Sequence, residues 1–557
     1  MPDETSPLLP GGDASTAEDR RQQPKVRNSR LRELFFFTWA LLATAGFIII
    51  AVWFQHTEQT VPPAQPESPP SKRNLVFMVS DGMGPASLAL TRNYRQRTQG
   101  LDISDTLTLD KHFWGSSRTR SDNSLVTDSA AGATAFSCAH KSYNGAISVL
   151  PDHTACGSVM EAAKRAGYTT GLVVTTDITD ATPACFASHA LRRDMQDLIA
   201  LQEIGDSVLG RSVDLMLGGG RCHFLPNSTE GGCRLDNIDV TKRAQKKHGW
   251  NYIDSRKGFD ALKGGNNVQL PLLGLFAPND IPFEIDRRNM NDIYPSLSEM
   301  ATSALRALEK ATSDSDQGFF LMIEGSRIDH AGHFNDPAAQ VHEVIEYDHT
   351  FQAVLDFIAQ SETETVLVAT SDHETGGLAT AIQEPGHLPV YDWYPQVLHR
   401  ANASCELLAA KLQQHVAANW GEEGRLKTWI NKNLIIPGLG FTDATDSELT
   451  LLARDTVSAR DTLAAMISRR AHIGWSTHGH TAVDVNIYSS GGPGTDTIRG
   501  NVENTDVGKF LRSYLDVDVE PITKELREKG QDIGAGLAAV KVAGIAGGQG
   551  YHAAEEA

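Results

Sequence analysis

The residues able to do chemistry gather in a few short clusters. Ser80-Asp81-Gly82-Met83-Gly84 ends one apolar run, Glu324-Gly325-Ser326-Arg327-Ile328-Asp329-His330-Ala331-Gly332-His333 a second, and Ser371-Asp372-His373-Glu374-Thr375-Gly376-Gly377 a third. Hard oxygen ligands mixed with imidazole, without sulfur, suit Zn, Mg or Mn, and two Asp-plus-His clusters suggest a two-metal site for displacement at a phosphate ester. One Asp before Gly is an ordinary turn former. Recurrence at three run ends argues instead for a shared site. A nucleophile would complete it. In Val126-Thr127-Asp128-Ser129-Ala130-Ala131-Gly132-Ala133-Thr134-Ala135 a hydroxyl precedes small residues with helix character. Asp128 could cap that helix and Ser129 would sit at its N-terminus, where amides favour a phosphoryl dianion. On this segment alone, Ser129 also reads as part of an ordinary helix start.

The elements that must position these clusters are short apolar runs alternating with helical segments. Asn74 to Ser80, Gly171 to Thr176, Val213 to Leu217, Phe319 to Ile323 and Thr365 to Thr370 read as strands buried on both faces. GSVMEAAKRAG and LSEMATSALRALEKA have helical spacing. This alternation predicts an α/β fold with a mostly parallel central sheet sandwiched by helices, its ligands gathered beyond the carboxyl ends of the strands.

The chain has 557 residues, 40% hydrophobic and 21% charged, which fits a globular protein and excludes a wholly disordered or polytopic one. Its net charge of −19 repels polyanions, so general nucleic-acid binding is excluded and any bound phosphate needs local cations.

The first 75 residues are different in kind. Leu34 to Phe54 is a 21-residue run without a charge, enough for one membrane crossing. Six Lys and Arg residues between Arg20 and Arg32 precede it, which keeps the N-terminus cytosolic and sends the C-terminal bulk across. Its length favours an uncleaved signal anchor. Glu4 ahead of Leu8 and Leu9 resembles an acidic dileucine sorting signal for vacuoles or lysosomes, the docking point of a sorting adaptor. Val61 to Arg73 is Pro-rich and reads as an extended stalk. Asn227-Ser228-Thr229 and Asn402-Ala403-Ser404 are glycosylation sequons. Of the six cysteines, Cys222 with Cys233 is the first expected disulfide and Cys138 with Cys156 the second, while Cys185 reads as a buried thiol. No CxxC pair supports a zinc-thiolate site.

FMVSDGMG, VTDSAAGATA, TDATPA, IEGSRIDHAGH, TSDHETGG and WSTHGHTAVDV, in this order, resemble the motifs of the alkaline phosphatases, most closely of the fungal vacuolar, membrane-anchored branch. The resemblance covers about residues 74 to 520 and implies an alkaline-phosphatase-like three-layer sandwich, a homodimer, and a broad phosphomonoesterase using two Zn ions and one Mg. By it, Ser129 is the nucleophile that becomes phosphorylated. One Zn is assigned to Asp329, His333 and His480, the other to Asp81, Asp372 and His373. Mg is assigned to Asp81, Thr182 and Glu324. Arg193 is the phosphate clamp, with Arg192 as its rival, and His478 is the alternative to His480. His330 stands where bacterial members commonly have Lys, while Asp180 keeps the bacterial choice, so the third metal site is of mixed type.

The expected organisation is a cytosolic tail (1–33), a transmembrane anchor (34–54), a stalk (55–73), a catalytic domain (74–520) and a partly disordered C-terminal tail (521–557). The enzyme would be a single-pass type II protein of the vacuolar membrane with its catalytic domain lumenal. Substrates would be small phosphomonoesters, with phosphopeptides or polyphosphate as further candidates. A Zn-lowered serine pKa would permit in-line attack on phosphorus, and water would then hydrolyse the phosphoserine. A phosphodiesterase or sulfatase of the same superfamily would share the metal clusters but use Thr or a modified Cys as nucleophile. An inactive, membrane-tethered binding protein would tolerate lost ligands, and every expected ligand is present.

Overall fold

The computed structural model describes residues 29–59, 72–383, 385–418 and 422–534. The chain divides into two units at Pro70/Ser71. In the first, Ser29–Gln59 is one helix, and its segment Arg30–Ala51 is long and apolar enough to cross a membrane. Thr38 and Thr44 return their hydroxyls to the carbonyls of Leu34 and Ala40, so neither leaves a polar group unsatisfied on an apolar surface. The dileucine motif at Glu4, Leu8 and Leu9, stalk residues 60–71 and the tail from residue 535 lie outside the described residues, while residues 55–59, expected to be stalk, continue the helix.

The second unit is built on β1 (Arg73–Val79), β2 (Phe113–Arg118), β3 (Thr169–Asp177), β4 (Leu215–Gly219), β5 (Asn251–Ile253), β6 (Leu272–Leu275), β7 (Phe319–Glu324), β8 (Glu364–Thr370), β9 (Glu374–Thr375), β10 (His480–Thr481), β11 (Val485–Ser489) and β12 (Gly500–Glu503). Ten of these form one sheet in the order β12-β2-β11-β8-β1-β7-β3-β4-β6-β5. Every pairing is parallel except those of β11 with β2 and β8. All five strands expected from sequence are central members, with the third, expected from Val213, shifted to begin at Leu215 as β4. The strands not expected, β2, β5, β6, β11 and β12, lie toward the two edges.

The central strands are apolar throughout because both faces are covered. Leu75, Phe77 and Val79 of β1 pack into one core with Phe186, Phe320 and Leu172, while Val76 and Met78 pack into the opposite core with Leu321, Ile323 and Leu305. Each such fully buried side chain contributes about 1.5–3 kcal/mol, so a polar substitution here would unseat the strand ends that carry the site. Register fixes those ends: Val79 pairs with Glu324 on one side and Thr370 on the other, and Val174 pairs with Glu324 from β3.

Between β9 and β10 the chain builds a helical insert from Pro395 to Ala471, whose Leu408, Leu412, Leu434, Ile435 and Ile467 share one core with Leu90, Phe283 and Val341. The insert closes on itself, because β9 and β10 pair antiparallel with Thr375 opposite His480 and Glu374 opposite Thr481. That closure returns His480 to the Asp372-His373 corner, over a hundred residues after the chain left it. The disulfides are Cys222–Cys233 and Cys138–Cys156, and Cys185 and Cys405 are buried thiols. Order continues beyond position 520: Glu520–Lys529 is a helix with Ile522 and Leu526 buried, and the described chain runs on to Gly534.

Candidate active site

Most of the expected site residues sit at or just past a strand end or near a helix start, while His333 ends its helix, His480 opens β10 and Arg193 lies in a turn. β1 delivers Asp81, β7 ends on Glu324, β8 leads to Asp372 and His373, and after β3 comes Asp180, which caps the helix Ala181–Ala187 that carries Thr182. The helix Arg327–His333 follows β7 and carries Asp329 and His333 one turn apart, so both face the same way. Gly82 turns the chain with φ +72°, and a Cβ there would lie 2.6 Å from the Cα of Asp329, so only glycine lets β1 approach that helix so closely.

Ser129 opens the helix Ser129–Ser137, and the Asp128 carboxylate caps it by accepting from the Ala131 amide. Asp128 also accepts from the Gly145 amide. Ser129 is buried, with its Oγ 3.1 Å from His373 Nε2.

Around that hydroxyl the cluster is rich in acceptors. His373 Nε2 faces Asp372 Oδ2 at 3.2 Å and Asp81 Oδ1 at 3.5 Å. His333 Nε2 faces Asp329 Oδ2 at 3.2 Å, and His480 Nε2 lies 3.6 Å from Asp329 Oδ1 and 3.1 Å from His333 Nε2. The opposite edges of these rings are already committed. His480 Nδ1 meets the Thr127 carbonyl at 2.8 Å, His333 Nδ1 meets the His478 carbonyl, and His373 Nδ1 meets Thr375 Oγ1 at 3.1 Å. A carbonyl can only accept, so Nδ1 carries the proton in His480 and His333 and the Nε2 lone pair turns inward. In His373 the same follows one step removed, since the Thr375 hydroxyl donates to Asp329 Oδ1 at 2.5 Å and must accept from Nδ1.

Lone pairs facing carboxylate oxygens repel unless a cation lies between them. Asp81 Oδ1, Asp372 Oδ2 and Thr182 Oγ1 are buried with no hydrogen-bond partner among the described residues, as ligand atoms awaiting a metal would be. Two groups bring metal-ligating atoms within 4.8 Å of one another: Asp329 with His333 and His480, and Asp81 with Asp329 and His373. Asp329 thus lies within reach of both. A third such group, Cys222, His223 and Cys233, has both sulfurs in a disulfide.

The electrostatics agree. Burial, reinforced by Asp372, Asp329, Glu324 and Asp180, pushes Asp81 well above the ordinary carboxylate range. Burial and the nearby Asp180 and Asp372 carboxylates raise Glu324 to about 8. Burial holds His373 and His480 neutral, each lowered to about 3.

Arg193 and Arg192 separate clearly. Arg193 is largely buried and bonds Asp180 Oδ1 at 2.9 Å and Asp128 Oδ2 at 3.5 Å, so its guanidinium lies beside the helix cap next to Ser129. Arg192 is half-exposed and forks onto its neighbour Asp194. His478 and His480 separate too, for His478 Nδ1 meets the His333 carbonyl at 2.8 Å while His480 joins the cluster. His330 turns to Asp280 at 2.9 Å, a carboxylate shared with Arg327 at 3.4 Å. Burial would lower this imidazole, yet Asp280 raises it to about 9.

Three contributors were not legible from sequence. Thr375 and Glu374 lie inside a motif singled out for its neighbours, and Glu374 accepts from Thr481 Oγ1 and from the Leu378 amide at 3.2 Å, tying β9 to β10. Asp280 lies in a loop with no motif at all. Only the tertiary neighbour reveals each role.

The chain matches the alkaline phosphatase family over residues 72–517. It is 49% identical over 547 residues to the repressible alkaline phosphatase of Saccharomyces cerevisiae, covering 95% of this chain and 94% of that one. It is 47% identical over 458 residues to the alkaline phosphatase of Schizosaccharomyces pombe, covering 82% and 83%. Among solved structures, the cold-active alkaline phosphatase of Shewanella sp. superposes with a TM-score of 0.65 at 31% identity, covering 79% of this chain and 99% of that one. The Thermus thermophilus alkaline phosphatase gives a TM-score of 0.67 at 28% identity, covering 82% and 96%. With carboxylates and imidazoles gathered at the carboxyl ends of a parallel sheet around one buried serine, and with relatives of this name along nearly its whole length, the chain belongs to the alkaline phosphatase family.

Proposed function

We propose that this metal-dependent phosphomonoesterase acts through a phosphorylated Ser129, with two Zn ions and one Mg ion as cofactors. Asp329, His333 and His480 would hold one Zn, Asp81, Asp372 and His373 the other, and Asp81, Thr182 and Glu324 the Mg. The inward Nε2 lone pairs and the unpartnered oxygens of Asp81, Asp372 and Thr182 support this set. When bound, such ions supply Lewis acidity that favours the alkoxide form of a serine and neutralises charge developing on phosphate oxygens.

The observation that carries the reading is the 3.1 Å approach of Ser129 Oγ to His373 Nε2 at the start of a buried helix. Ser129 Oγ forms the bond to phosphorus as the ester P–O bond breaks, and the departing oxygen leaves as an alcohol after gaining a proton. Water then attacks the phosphoserine from the vacated side, releasing inorganic phosphate and restoring the hydroxyl. Two inversions retain configuration at phosphorus. Arg193, oriented by Asp180 and Asp128, grips two phosphate oxygens with its planar guanidinium. Positioning and charge neutralisation are most of what phosphoryl transfer asks of a protein.

In this reading residues 34–54 are a type II signal anchor, 1–33 a cytosolic tail whose Glu4, Leu8 and Leu9 meet a sorting adaptor, and 55–73 a stalk. The catalytic domain lies in the vacuolar lumen, acts as a homodimer, and takes small phosphomonoesters, with phosphopeptides or polyphosphate as further substrates. Exposure of both sequon asparagines, Asn227 and Asn402, supports a glycosylated lumenal domain. Metal analysis of the purified protein, paired with p-nitrophenyl phosphate turnover from neutral to alkaline pH, tests the central reading. Zinc-dependent turnover is expected, and full turnover in metal-free protein would overturn it.

A further inference from the structure

The loop that presents Arg193 is tied to the end of the described chain. Two residues before Arg193, the Leu191 amide donates to the Ile533 carbonyl at 2.9 Å. The buried Gln202 side chain joins the two segments a second time. Its Oε1 accepts from the His189 amide at 2.8 Å, and its Nε2 donates to the carbonyls of His189 and Asp532, both at 2.9 Å. The short C-terminal segment has anchors of its own: Gln531 Oε1 accepts from the Val208 amide at 3.1 Å, and Ile533 packs against Val519, Ile522 and Leu526. After the helix Glu520–Lys529 ends at Gly530, four residues therefore run as a pinned strap across the base of the Arg193 loop.

We propose that residues 531–534 position the Arg193 clamp, so that affinity for phosphate depends on the segment that follows the helix Glu520–Lys529. The proposal rests on the reading of Arg193 as the clamp. An arginine side chain is rich in rotamers, and a guanidinium aimed by a fixed backbone loses less freedom on binding phosphate than one on a loose loop. Asp180 and Asp128 fix the head of this side chain, and the strap fixes the backbone from which it springs. The strap touches none of the residues assigned to metals, so its loss should weaken phosphate binding while sparing the chemical step. Trimming of the C-terminal tail is then harmless only beyond Gly534.

The test is a double-mutant cycle on the anchored protein in detergent, comparing the full chain, a chain ending at Gly530, Arg193→Gln, and the two combined. A chain ending at Gly534 is the control. The readouts are KM and kcat for p-nitrophenyl phosphate, Ki for inorganic phosphate, and zinc content. Ending at Gly530 should raise KM and Ki together by about fivefold, the loss expected for one net hydrogen bond, with zinc content unchanged and kcat nearly so. Ending at Gly534 should change neither constant. Arg193→Gln should raise Ki further, and removing the strap in that background should add nothing.

An unchanged Ki on ending at Gly530, with Arg193→Gln still raising it, would overturn the strap and leave the clamp standing. Additive effects, or a loss confined to kcat and zinc, would equally overturn it, since a merely structural role would read that way. An unchanged Ki in Arg193→Gln would sink the clamp reading and the strap with it. Should the shortened chain fail to fold, Gln531→Ala with Ile533→Gly in the full chain should raise Ki in the same Arg193-dependent manner, and an unaltered Ki there would contradict the proposal.

Discussion

The hydroxyl of Thr375 donates to Asp329 Oδ1 across 2.5 Å while accepting from His373 Nδ1 across 3.1 Å, so one side chain links the two imidazole-carboxylate clusters flanking Ser129. It sets the tautomer of His373 and shares the charge of Asp329, the carboxylate within reach of both groups. Partners of this kind typically change metal affinity or activity by about 10–100-fold. Thr375→Val keeps the shape and removes the relay. We expect about tenfold weaker zinc retention against a chelator and a comparable fall in turnover, with Thr375→Ser recovering most of both. Unaltered zinc retention in Thr375→Val would show that the hydroxyl is not needed.

The stability of the metal-free protein should depend steeply on pH. Glu324 has a folded-state pKa of about 8 against an ordinary 4.5, and Asp81 is raised as well, both first through burial and then through neighbouring carboxylates. For an acid raised on folding, stability is fully present below its unfolded pKa and is lost as pH rises through the folded one. Chelated protein should therefore lose several kcal/mol, on the order of 1.4 per pK unit, as pH climbs from about 4.5 to about 8. Adding Zn and Mg should remove that slope. Thermal melts of chelated and reloaded protein across this range measure it, and parallel curves would refute the expectation.

His480 and His478 differ by two positions in sequence and should differ sharply in effect. His480 turns its Nε2 to Asp329 and His333, whereas His478 braces the His333 backbone from outside the cluster. His480→Ala should lose one zinc and nearly all turnover, partly recoverable with excess Zn. His478→Ala should keep its zinc content and lose at most about tenfold in rate, a positioning-size effect. Zinc stoichiometry of the two variants decides the matter.

Glu203 is a stability liability remote from the site's motifs. It is fully buried, neither carboxyl oxygen has a hydrogen-bond partner among the described residues, and burial alone raises its pKa well above the ordinary value. Replacing an unsatisfied buried polar group with an apolar one of similar shape recovers about 1–3 kcal/mol. Glu203→Met should raise the melting temperature, and more so at alkaline than at mildly acidic pH, because the ionised form is the costly one. A lower melting temperature at alkaline pH would point to an unseen partner.

What the sequence disclosed followed from burial. Strands covered on both faces, such as NLVFMV and FFLMI, are short, nearly continuous apolar runs, and their ends are where Asp81, Glu324, Asp372 and His373 stand. Strands near the sheet edges were not legible. FWGSSR and GNVE carry Gly, Ser and Asn on half-covered faces, and NYI is too short to show a period. The ties that fix the site were hidden for another reason. Asp280 meets His330, and Ile533 meets Leu191, across distances in sequence that no local pattern encodes. The helix Glu520–Lys529 was also hidden, because Ile522 and Leu526 look like isolated apolar residues until the helix that buries them is seen.

The most direct test of the central claim is to trap the intermediate. Protein incubated with radiolabelled inorganic phosphate at acid pH, quenched and digested, should carry label on the peptide containing Ser129 and on no other. Ser129→Ala, which removes the proposed nucleophile and leaves every residue assigned to a metal in place, should take up no label and lose turnover while retaining its zinc. Label on a different residue, or undiminished turnover in Ser129→Ala, would contradict the account.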